Sequence, residues 1–175
     1  MMTILDFDDF CETNHRIDLL LELKNNIPNL KVNLFTILGK CSLKFIEAMK
    51  HYDWIDMIPH GWMHEDNYEC FKWTKEESLK YLDKIEKYEL TKGFKAPGWQ
   101  ISNGAYEALL ERDYWVADQS YNNERRPKEL KTYLLDEDWK VHGHIQNVCG
   151  NGLEEKFHYY ISLTGDFKFI KDVLI

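Results

Sequence analysis

The amino-acid sequence predicts an α/β fold that contains a parallel β-sheet. Short apolar runs alternate with amphipathic segments along most of the 175 residues. Repeated strand–helix units of this kind place neighbouring strands parallel, either in an open sheet or in a closed barrel. Hydrophobic residues make up 44% of the chain, which is enough for one core, and no repeat or linker divides it. We therefore expect a single domain over residues 1–175.

The strands are predicted from short apolar runs that end at turn-forming residues. They begin with TILDF and continue through KVNLFTIL, WIDMI and GFKA, and proline follows the last two. YWVADQ and WKVHGHIQNV complete the set. The predicted strands span residues 3–7, 31–38, 54–58, 93–96, 114–119 and 139–148.

The helices are predicted from apolar residues at helical spacing behind an N-cap residue. Asn14 and Ser42 are the expected N-caps of the first two helices. Thr74 and Glu77 form the pattern of a capping box before the third. The predicted helices span residues 14–26, 43–52, 75–90 and 103–113, and the segment 154–175 is predicted as a helix followed by a strand or a second helix.

The composition excludes several classes of function. Lys and Arg number 22 against 30 Asp and Glu, so the net charge of −8 disfavours nucleic acids and anionic membranes as main partners. No apolar run is long enough to span a membrane, and MMTILDFDDF lacks the basic region and cleavage site of a signal peptide. The four cysteines are far apart, which favours reduced thiols. We expect a cytoplasmic protein without membrane insertion.

Polar side chains follow the first and third predicted strands. Asp8 and Asp9 come after the first strand, and His60 follows the third, with His64 four residues further on. Because the carboxyl ends of parallel strands meet at one edge of a sheet, we expect these side chains to lie close together. Each pair alone is a weak signal, since an Asp-Asp after an apolar run is often a turn and a histidine pair arises by chance.

Further polar residues lie near the ends of two later strands. Lys95 and Pro97 end the fourth strand, and His142 and His144 lie late in the sixth. Taken alone, Lys95 is an ordinary surface lysine and His144 an ordinary core histidine. Their convergence with the aspartates and the histidine pair favours a functional site over these structural interpretations.

Together these residues have the composition of a hydrolytic metal centre. His60, His64 and Asp9 provide two imidazoles and a carboxylate, a frequent ligand set for catalytic zinc that leaves a position for water. A metal there lowers the pKa of that water from 15.7 toward about 7 and polarises a carbonyl. Asp8 is then the expected general base, kept ionised by Lys95, and a histidine from the opposite rim protonates the departing amine. The set predicts hydrolysis of an amide or ester.

The motifs LDFDDF, HGWMH, FKAPGW and VHGH occur in the order found in polysaccharide deacetylases of the NodB-homology type, carbohydrate esterase family 4. The chain resembles this family from about residue 3 to residue 146. The resemblance implies a distorted, compact (β/α) barrel of about six to seven strands, one divalent metal, usually zinc, and a glycan substrate that loses an acetyl group from an N-acetylated sugar. The resemblance also implies a role for each site residue. Asp8 is the base, and Asp9, His60 and His64 are the metal ligands. Lys95 and Pro97 lie in the Arg-x-Pro-Tyr segment, and His144, or else His142, is the acid of a Leu-x-His motif.

The sequence departs from the family pattern at three places. Gly61 replaces the usual Ser or Thr after the first histidine, which removes a hydroxyl that braces the metal loop. Lys95 replaces Arg, so a forked hold on Asp8 becomes a single point contact. Gly98 and Trp99 stand where Pro-Tyr-Gly would begin, and Trp99 is either a face for a sugar ring or a buried side chain. The expected substrate contacts are Trp62, Pro97, Trp99 and His142.

Three other interpretations fit the same residues. The first is a metal-dependent amidohydrolase that acts on a substrate other than a glycan. The second is a catalytically impaired, deacetylase-like domain that binds a glycan without cleaving it. A purely binding domain has no physical reason to keep two aspartates and three histidines together. The third is an α/β domain without a metal.

Overall fold

Strands and helices alternate along residues 1–135 and 140–174, the part of the chain that the computed structural model describes. Its strands are β1 (Met2–Phe10), β2 (Val32–Thr36), β3 (Ile55–Pro59), β4 (Gly93–Lys95), β5 (Trp115–Asp118), β6 (Thr132–Leu134), β7 (Lys140–His144) and β8 (Asp166–Phe167). Its α-helices are α1 (Ile17–Asn26), α2 (Leu43–Met49), α3 (Lys75–Ile85), α4 (Asn103–Glu111) and α5 (Phe157–Ile161). None of these helices is long and apolar enough to cross a membrane.

The strands pair in parallel, which confirms the predicted α/β class. β1 lies inside one sheet of order β3-β2-β1-β7, and β8 pairs with the first residues of β1. A second sheet has the order β4-β5-β6. An isolated parallel bridge between His60 and Lys95 joins β3 to β4. The two sheets therefore form one arc from β6 to β7, with the carboxyl ends of their strands at the same edge.

Both faces of the arc are apolar, as expected for parallel strands with helices packed outside. The inner face carries a cluster that draws on five strands and the C-terminal segment: Ile4, Phe35, Ile58, Trp115, Ala117, Tyr133 and Ile170. Alternate residues such as Leu5 and Leu34 point to the other face, where they join a larger cluster with side chains of α1 to α4. This double burial explains why the strands read as continuous apolar runs in the sequence.

The first helix begins later than its sequence pattern predicts. α1 starts at Ile17 without a side-chain cap, so the prediction of Asn14 as its N-cap is wrong. Asn14 instead forms a backbone bridge with Cys11, and the Ile17 N–H donates to Nδ1 of His15 at 3.1 Å. The other predicted caps are confirmed, at Ser42 and in the capping box of Thr74 and Glu77.

The strands differ from the predicted ones mainly at β1 and β6. β1 continues to Phe10, so that the two aspartates lie within the strand and not after it. β6 was not predicted, because its three residues follow a polar loop and carry no clear alternation. The C-terminal segment contains α5 and then β8, which matches the expectation of a helix followed by a strand. Trp139, the first residue of the predicted sixth strand, lies outside the described residues.

Gly143 allows β7 to pass close to β1 and α5. A Cβ at this position would lie 2.3 Å from Oη of Tyr160 and 2.9 Å from the ring of Phe7. The rings of Phe7 and Tyr160 pack edge to face with centroids 4.9 Å apart, and the Tyr160 hydroxyl donates to the Asn151 carbonyl at 2.7 Å. The glycine therefore fixes the depth at which the two histidines of β7 are held.

We expect Gly143→Ala to destabilise the protein by about 1–3 kcal/mol, because the added methyl group overpacks this contact. Urea unfolding monitored by circular dichroism measures the change. Tyr160→Phe removes the nearest atom, so the same glycine substitution should cost less in that background. An equal cost in both backgrounds would show that Tyr160 does not limit the approach of β7.

Candidate active site

Polar residues at the carboxyl ends of the strands surround a cavity of about 490 Å³. A cavity of this size is typical of small-molecule binding sites. Register brings the residues together, since Asp6 pairs with His142 and Asp8 with His144 across β1 and β7. The predicted residues that line the cavity are Asp8, Asp9, His60, His64, Trp99, His142 and His144.

Asp9, His60 and His64 form a compact set of metal-ligand atoms. Oδ1 of Asp9 lies 3.3 Å from Nε2 of His64 and 3.7 Å from Nε2 of His60, and one atom from each residue lies within 4.8 Å of the others. Nδ1 of His60 is 3.0 Å from the Lys95 carbonyl oxygen, which leaves Nε2 directed at the site. Burial lowers the pKa of His60, so its imidazole is neutral at pH 7. These donors and their outer hydrogen bonds fit a divalent ion such as zinc.

Asp9 reaches the site because the backbone of β1 is irregular at its end. Strict alternation would turn Asp9 away from Asp8, but the register with β2 shifts between Phe7 and Phe10. Asp9 has a φ of 66°, in the left-handed region that is uncommon for residues other than glycine. Its Oδ2 accepts a hydrogen bond from Nε2 of Gln146 at 2.9 Å. Two adjacent carboxylates therefore line the same cavity.

The loop that carries His64 is braced by the carboxylate of Glu69, a residue that sequence reasoning missed. Its oxygens accept the backbone N–H groups of Trp62, Met63 and His64 at 3.2, 2.9 and 2.9 Å. Gly61, with a φ of 59°, leaves the space in which this carboxylate sits, because a Cβ there would lie 2.5 Å from Oε2. A carboxylate thus takes the bracing role that a hydroxyl after the first histidine would have had. Glu69 follows His64 by five residues, after Glu65 and Asp66, so the sequence alone does not distinguish it.

Asp8 and Lys95 form a buried ion pair. The Lys95 ammonium group donates to both oxygens of Asp8, at 2.6 and 2.5 Å, and only 1% of its side chain is exposed. The replacement of Arg by Lys predicts a single point contact with Asp8, but the ammonium group contacts both carboxylate oxygens. Burial raises the pKa of Asp8, but the charge and hydrogen bond of Lys95 together with the neighbouring His60 and His142 outweigh this effect, so that the pKa lies well below its usual range. Asp8 is consequently a carboxylate at neutral pH.

The two histidines of β7 lie beside Asp8, on the strand that pairs with β1, and have different partners. Nδ1 of His142 is 2.5 Å from Oδ1 of the fully buried Asp6. Nδ1 of His144 is 2.7 Å from Oδ1 of Asn151. Their Nε2 atoms lie 3.7 and 3.9 Å from Oδ2 of Asp8. Sequence reasoning did not assign Asp6 or Asn151, and the sequence carries no signal for Asn151.

The predicted substrate contacts divide between the cavity and its surroundings. Trp99 and His142 line the cavity, with ring centroids 6.1 Å apart. Trp62 packs against Tyr81, with Lys84 over its ring, and is not part of the cavity wall. Pro97 is buried and is not part of the cavity wall, and a Cβ added at Gly61 would lie 2.9 Å from its ring.

No family model matches the chain, and no curated protein matches it by sequence. Several solved structures share its fold. A family 4 acetyl xylan esterase from Clostridium thermocellum, solved with a cobalt ion, is 14% identical with a TM-score of 0.64, over 98% of this chain and 89% of that one. A family 4 carbohydrate esterase from Streptomyces lividans, solved with acetate, is 12% identical with a TM-score of 0.61, over 84% and 80%.

A polysaccharide deacetylase from Bacillus cereus is 14% identical with a TM-score of 0.52, over 91% of this chain and 51% of that one. At these identities the likeness concerns the fold. The protein has the fold of family 4 carbohydrate esterases and polysaccharide deacetylases, as the motif order implied.

We expect Glu69→Gln to weaken the binding of Zn²⁺ by about 10- to 100-fold, because an amide cannot accept all three loop N–H groups and His64 loses its support. Calorimetric titration with Zn²⁺ measures the affinity. Glu65→Gln is the matched control, since it removes the same charge from an exposed position one residue after His64. Equal affinities in both variants would contradict a supporting role for Glu69.

Proposed function

We propose that the chain is a metal-dependent hydrolase that removes an acetyl group from an N-acetylated sugar or glycan. One observation carries the proposal. The ligand atoms of Asp9, His60 and His64 line a single cavity at the carboxyl ends of the strands, together with the ionised Asp8 that the buried Lys95 pairs with. A hydrolytic centre needs this combination of a metal-binding set and a separate base within reach of one reacting carbon.

The metal-binding residues and Asp8 have different roles in the proposed reaction. A divalent ion held by Asp9, His60 and His64 would polarise the acetyl carbonyl and acidify a water. Asp8 accepts the proton of that water as it attacks the carbonyl carbon. Lys95 keeps Asp8 charged and fixes its orientation by contacting both oxygens. We propose zinc as the ion, because two imidazoles and one carboxylate are a common set for catalytic zinc.

A histidine of β7 protonates the departing amine when the C–N bond breaks. The motif order favours His144, but three observations favour His142. The carboxylate of the buried Asp6 lies 2.5 Å from Nδ1 of His142 and fixes the orientation of its ring. It is the more exposed of the two, at 25% against 16%, and its Nε2 is slightly nearer to Asp8. We therefore propose His142 as the acid, with His144 as the alternative.

The substrate is proposed to be an acetylated carbohydrate. The similar structures are those of an acetyl xylan esterase, a carbohydrate esterase and a polysaccharide deacetylase, so both O-acetyl and N-acetyl sugars are the compounds to test. His144 is the proposed wall against the sugar, and Trp99 lines the cavity beside it with one ring face over Lys95, whereas Trp62 and Pro97 lie outside the cavity wall. We also propose that the arc of strands is a distorted barrel, since five strands contribute to one inner cluster.

Asp8→Asn should leave the metal bound and abolish most hydrolysis. We expect about one Zn²⁺ per chain in the wild type and in this variant, measured by mass spectrometry. The rate of acetate release from N-acetylglucosamine oligomers and acetylated xylan should fall by about 10²- to 10⁴-fold, the usual contribution of a general base. His60→Ala and His64→Ala should lose both metal and activity. An Asp8→Asn variant that keeps the full rate would exclude Asp8 as the base, and a metal-loaded wild type that binds glycans without cleaving them would favour the binding-domain interpretation.

The two histidines can be separated by the leaving group of the substrate. An amine must be protonated to leave, whereas 4-nitrophenolate leaves without a proton. We expect His142→Ala to slow hydrolysis of the amide bond in N-acetylated sugars by about 10²- to 10⁴-fold. The same variant should change the hydrolysis of 4-nitrophenyl acetate much less. His144→Ala is the matched variant and should slow both reactions to a similar extent. The opposite result would transfer the acid role to His144.

A further inference from the structure

The Lys95 ammonium group is enclosed by two aromatic rings as well as by Asp8. Its Nζ lies 3.9 Å from the ring centroid of Trp99 and 4.8 Å from that of Phe35. The attraction between a cation and an aromatic face is strongest for tryptophan and increases when water is absent. Since 1% of the Lys95 side chain is exposed, both conditions hold here. Trp99 is thus an outer wall of the ion pair as well as a wall of the cavity.

The ring of Trp99 is held over Lys95 by its own backbone. Gly98 has a φ of 56° and Trp99 a φ of 61°, so two successive residues adopt the left-handed conformation. Tryptophan rarely adopts this conformation, and strain of this kind persists only where neighbouring contacts maintain it. Gly98 is closely packed as well, since a Cβ there would lie 2.6 Å from Cβ of Asn67. The backbone of the turn after Pro97 is therefore closely constrained, and the ring of Trp99 lies over Lys95.

A buried polar group at the end of β5 anchors this turn. Nδ2 of Asn122 donates to the Trp99 carbonyl at 3.2 Å and to Oδ1 of Asp118 at 2.8 Å. Oδ2 of Asp118 accepts hydrogen bonds from the Tyr106 hydroxyl at 2.6 Å and from Arg126 at 2.7 Å. These partners satisfy both oxygens of Asp118, which is 1% exposed. The group lies at the carboxyl end of a strand and has no role in the proposed chemistry.

We propose that Trp99 is a positioning residue that acts through Lys95. Its ring face covers the ammonium group, excludes water from it and keeps it directed at both oxygens of Asp8, while Asn122 and Asp118 hold the Trp99 turn in place. A tryptophan at the rim of a sugar-cleaving site would ordinarily be assigned as a stacking platform for the sugar. Here one ring face is already occupied by Lys95. The catalytic consequence rests on the proposed function, whereas the cover over Lys95 does not.

The first test measures the cover over Lys95 without any activity assay. The protein is treated with an amine-reactive reagent such as trinitrobenzenesulfonate, and labelling of each lysine is followed by peptide mass spectrometry. We expect Lys95 to be protected in the wild type and in Trp99→Phe, which keeps an aromatic face, and to label at least tenfold faster in Trp99→Ala. The exposed Lys40 provides the internal reference. Unchanged protection in Trp99→Ala would overturn the proposal.

Asn122→Ala is the second variant, because it loosens the turn and keeps the indole ring. We expect Lys95 to label faster than in the wild type, though less than in Trp99→Ala. If circular dichroism shows that Trp99→Ala does not fold, the labelling of Lys95 in Asn122→Ala tests the proposal in its place. Labelling at the wild-type rate in folded Asn122→Ala would contradict the anchoring role.

The second test is a double-mutant cycle on the deacetylation rate. Trp99→Leu should lower kcat by about 3- to 30-fold, the range that a cation–aromatic contact supplies, with little change in KM. In a Lys95→Met background the same substitution should have no further effect, since the residue through which it acts is gone. A sugar platform predicts the opposite, a rise in KM of similar size in both backgrounds, and this result would overturn the proposal.

Trp54→Leu is the matched control for loss of a tryptophan. Lys24 lies over the Trp54 ring at 5.7 Å, but Trp54 precedes β3 and therefore lies at the opposite edge of the sheet from the cavity. Its substitution should leave kcat and Lys95 labelling unchanged in the folded protein. If the wild type hydrolyses none of the acetylated substrates, the proposed function fails, and the labelling result still accepts or rejects the cover over Lys95.

Discussion

The site depends on one buried ion pair, between Lys95 on the second sheet and Asp8 on the first. A charged group out of water is stable only when it is paired and hydrogen-bonded, and removal of one partner leaves the other charge uncompensated. Lys95 meets this requirement with both oxygens of Asp8, and its carbonyl oxygen contacts Nδ1 of His60. Lys95 alone therefore keeps the proposed base ionised, orients a proposed metal ligand and links the two sheets. A displacement of β4 would disturb all three at once.

Three carboxylates within four residues of β1 have three different environments. Asp6 faces inward and contacts His142, Asp8 contacts Lys95, and Asp9 faces the imidazoles that could hold a metal. Alternation along the strand accounts for the shared direction of Asp6 and Asp8. The irregular backbone at Asp9 turns the third carboxylate toward the same cavity. Chemistry that needs a base, a metal ligand and a partner for an acid is thus supplied from one strand end, because the backbone there departs from regular geometry.

Much of the support for the site comes from residues that carry no recognisable motif. Glu69 holds the histidine loop, Gln146 holds Asp9, Asn151 holds His144 and Asn122 holds the turn of Trp99. Each is a polar side chain that satisfies a backbone group or a functional side chain in a partly buried place, where an unpaired polar group is costly. The proposed chemistry therefore relies on a set of hydrogen bonds around the functional residues as much as on those residues themselves.

The sequence by itself determined the α/β class, the parallel pairing of the strands and the approximate positions of six of the eight described strands, because apolar periodicity and capping residues act over a few neighbours. It also determined which residues gather at one edge, since strand ends such as Asp8, His60, Lys95 and His144 follow from strand positions. Only the tertiary structure decided the direction of Asp9, the partner of each late histidine and the cover of Trp99 over Lys95. It likewise decided that Glu69 braces the histidine loop and that Asn14 does not cap α1. These features depend on left-handed backbone conformations and on contacts between residues far apart in the chain, and neither leaves a periodic signal in the sequence.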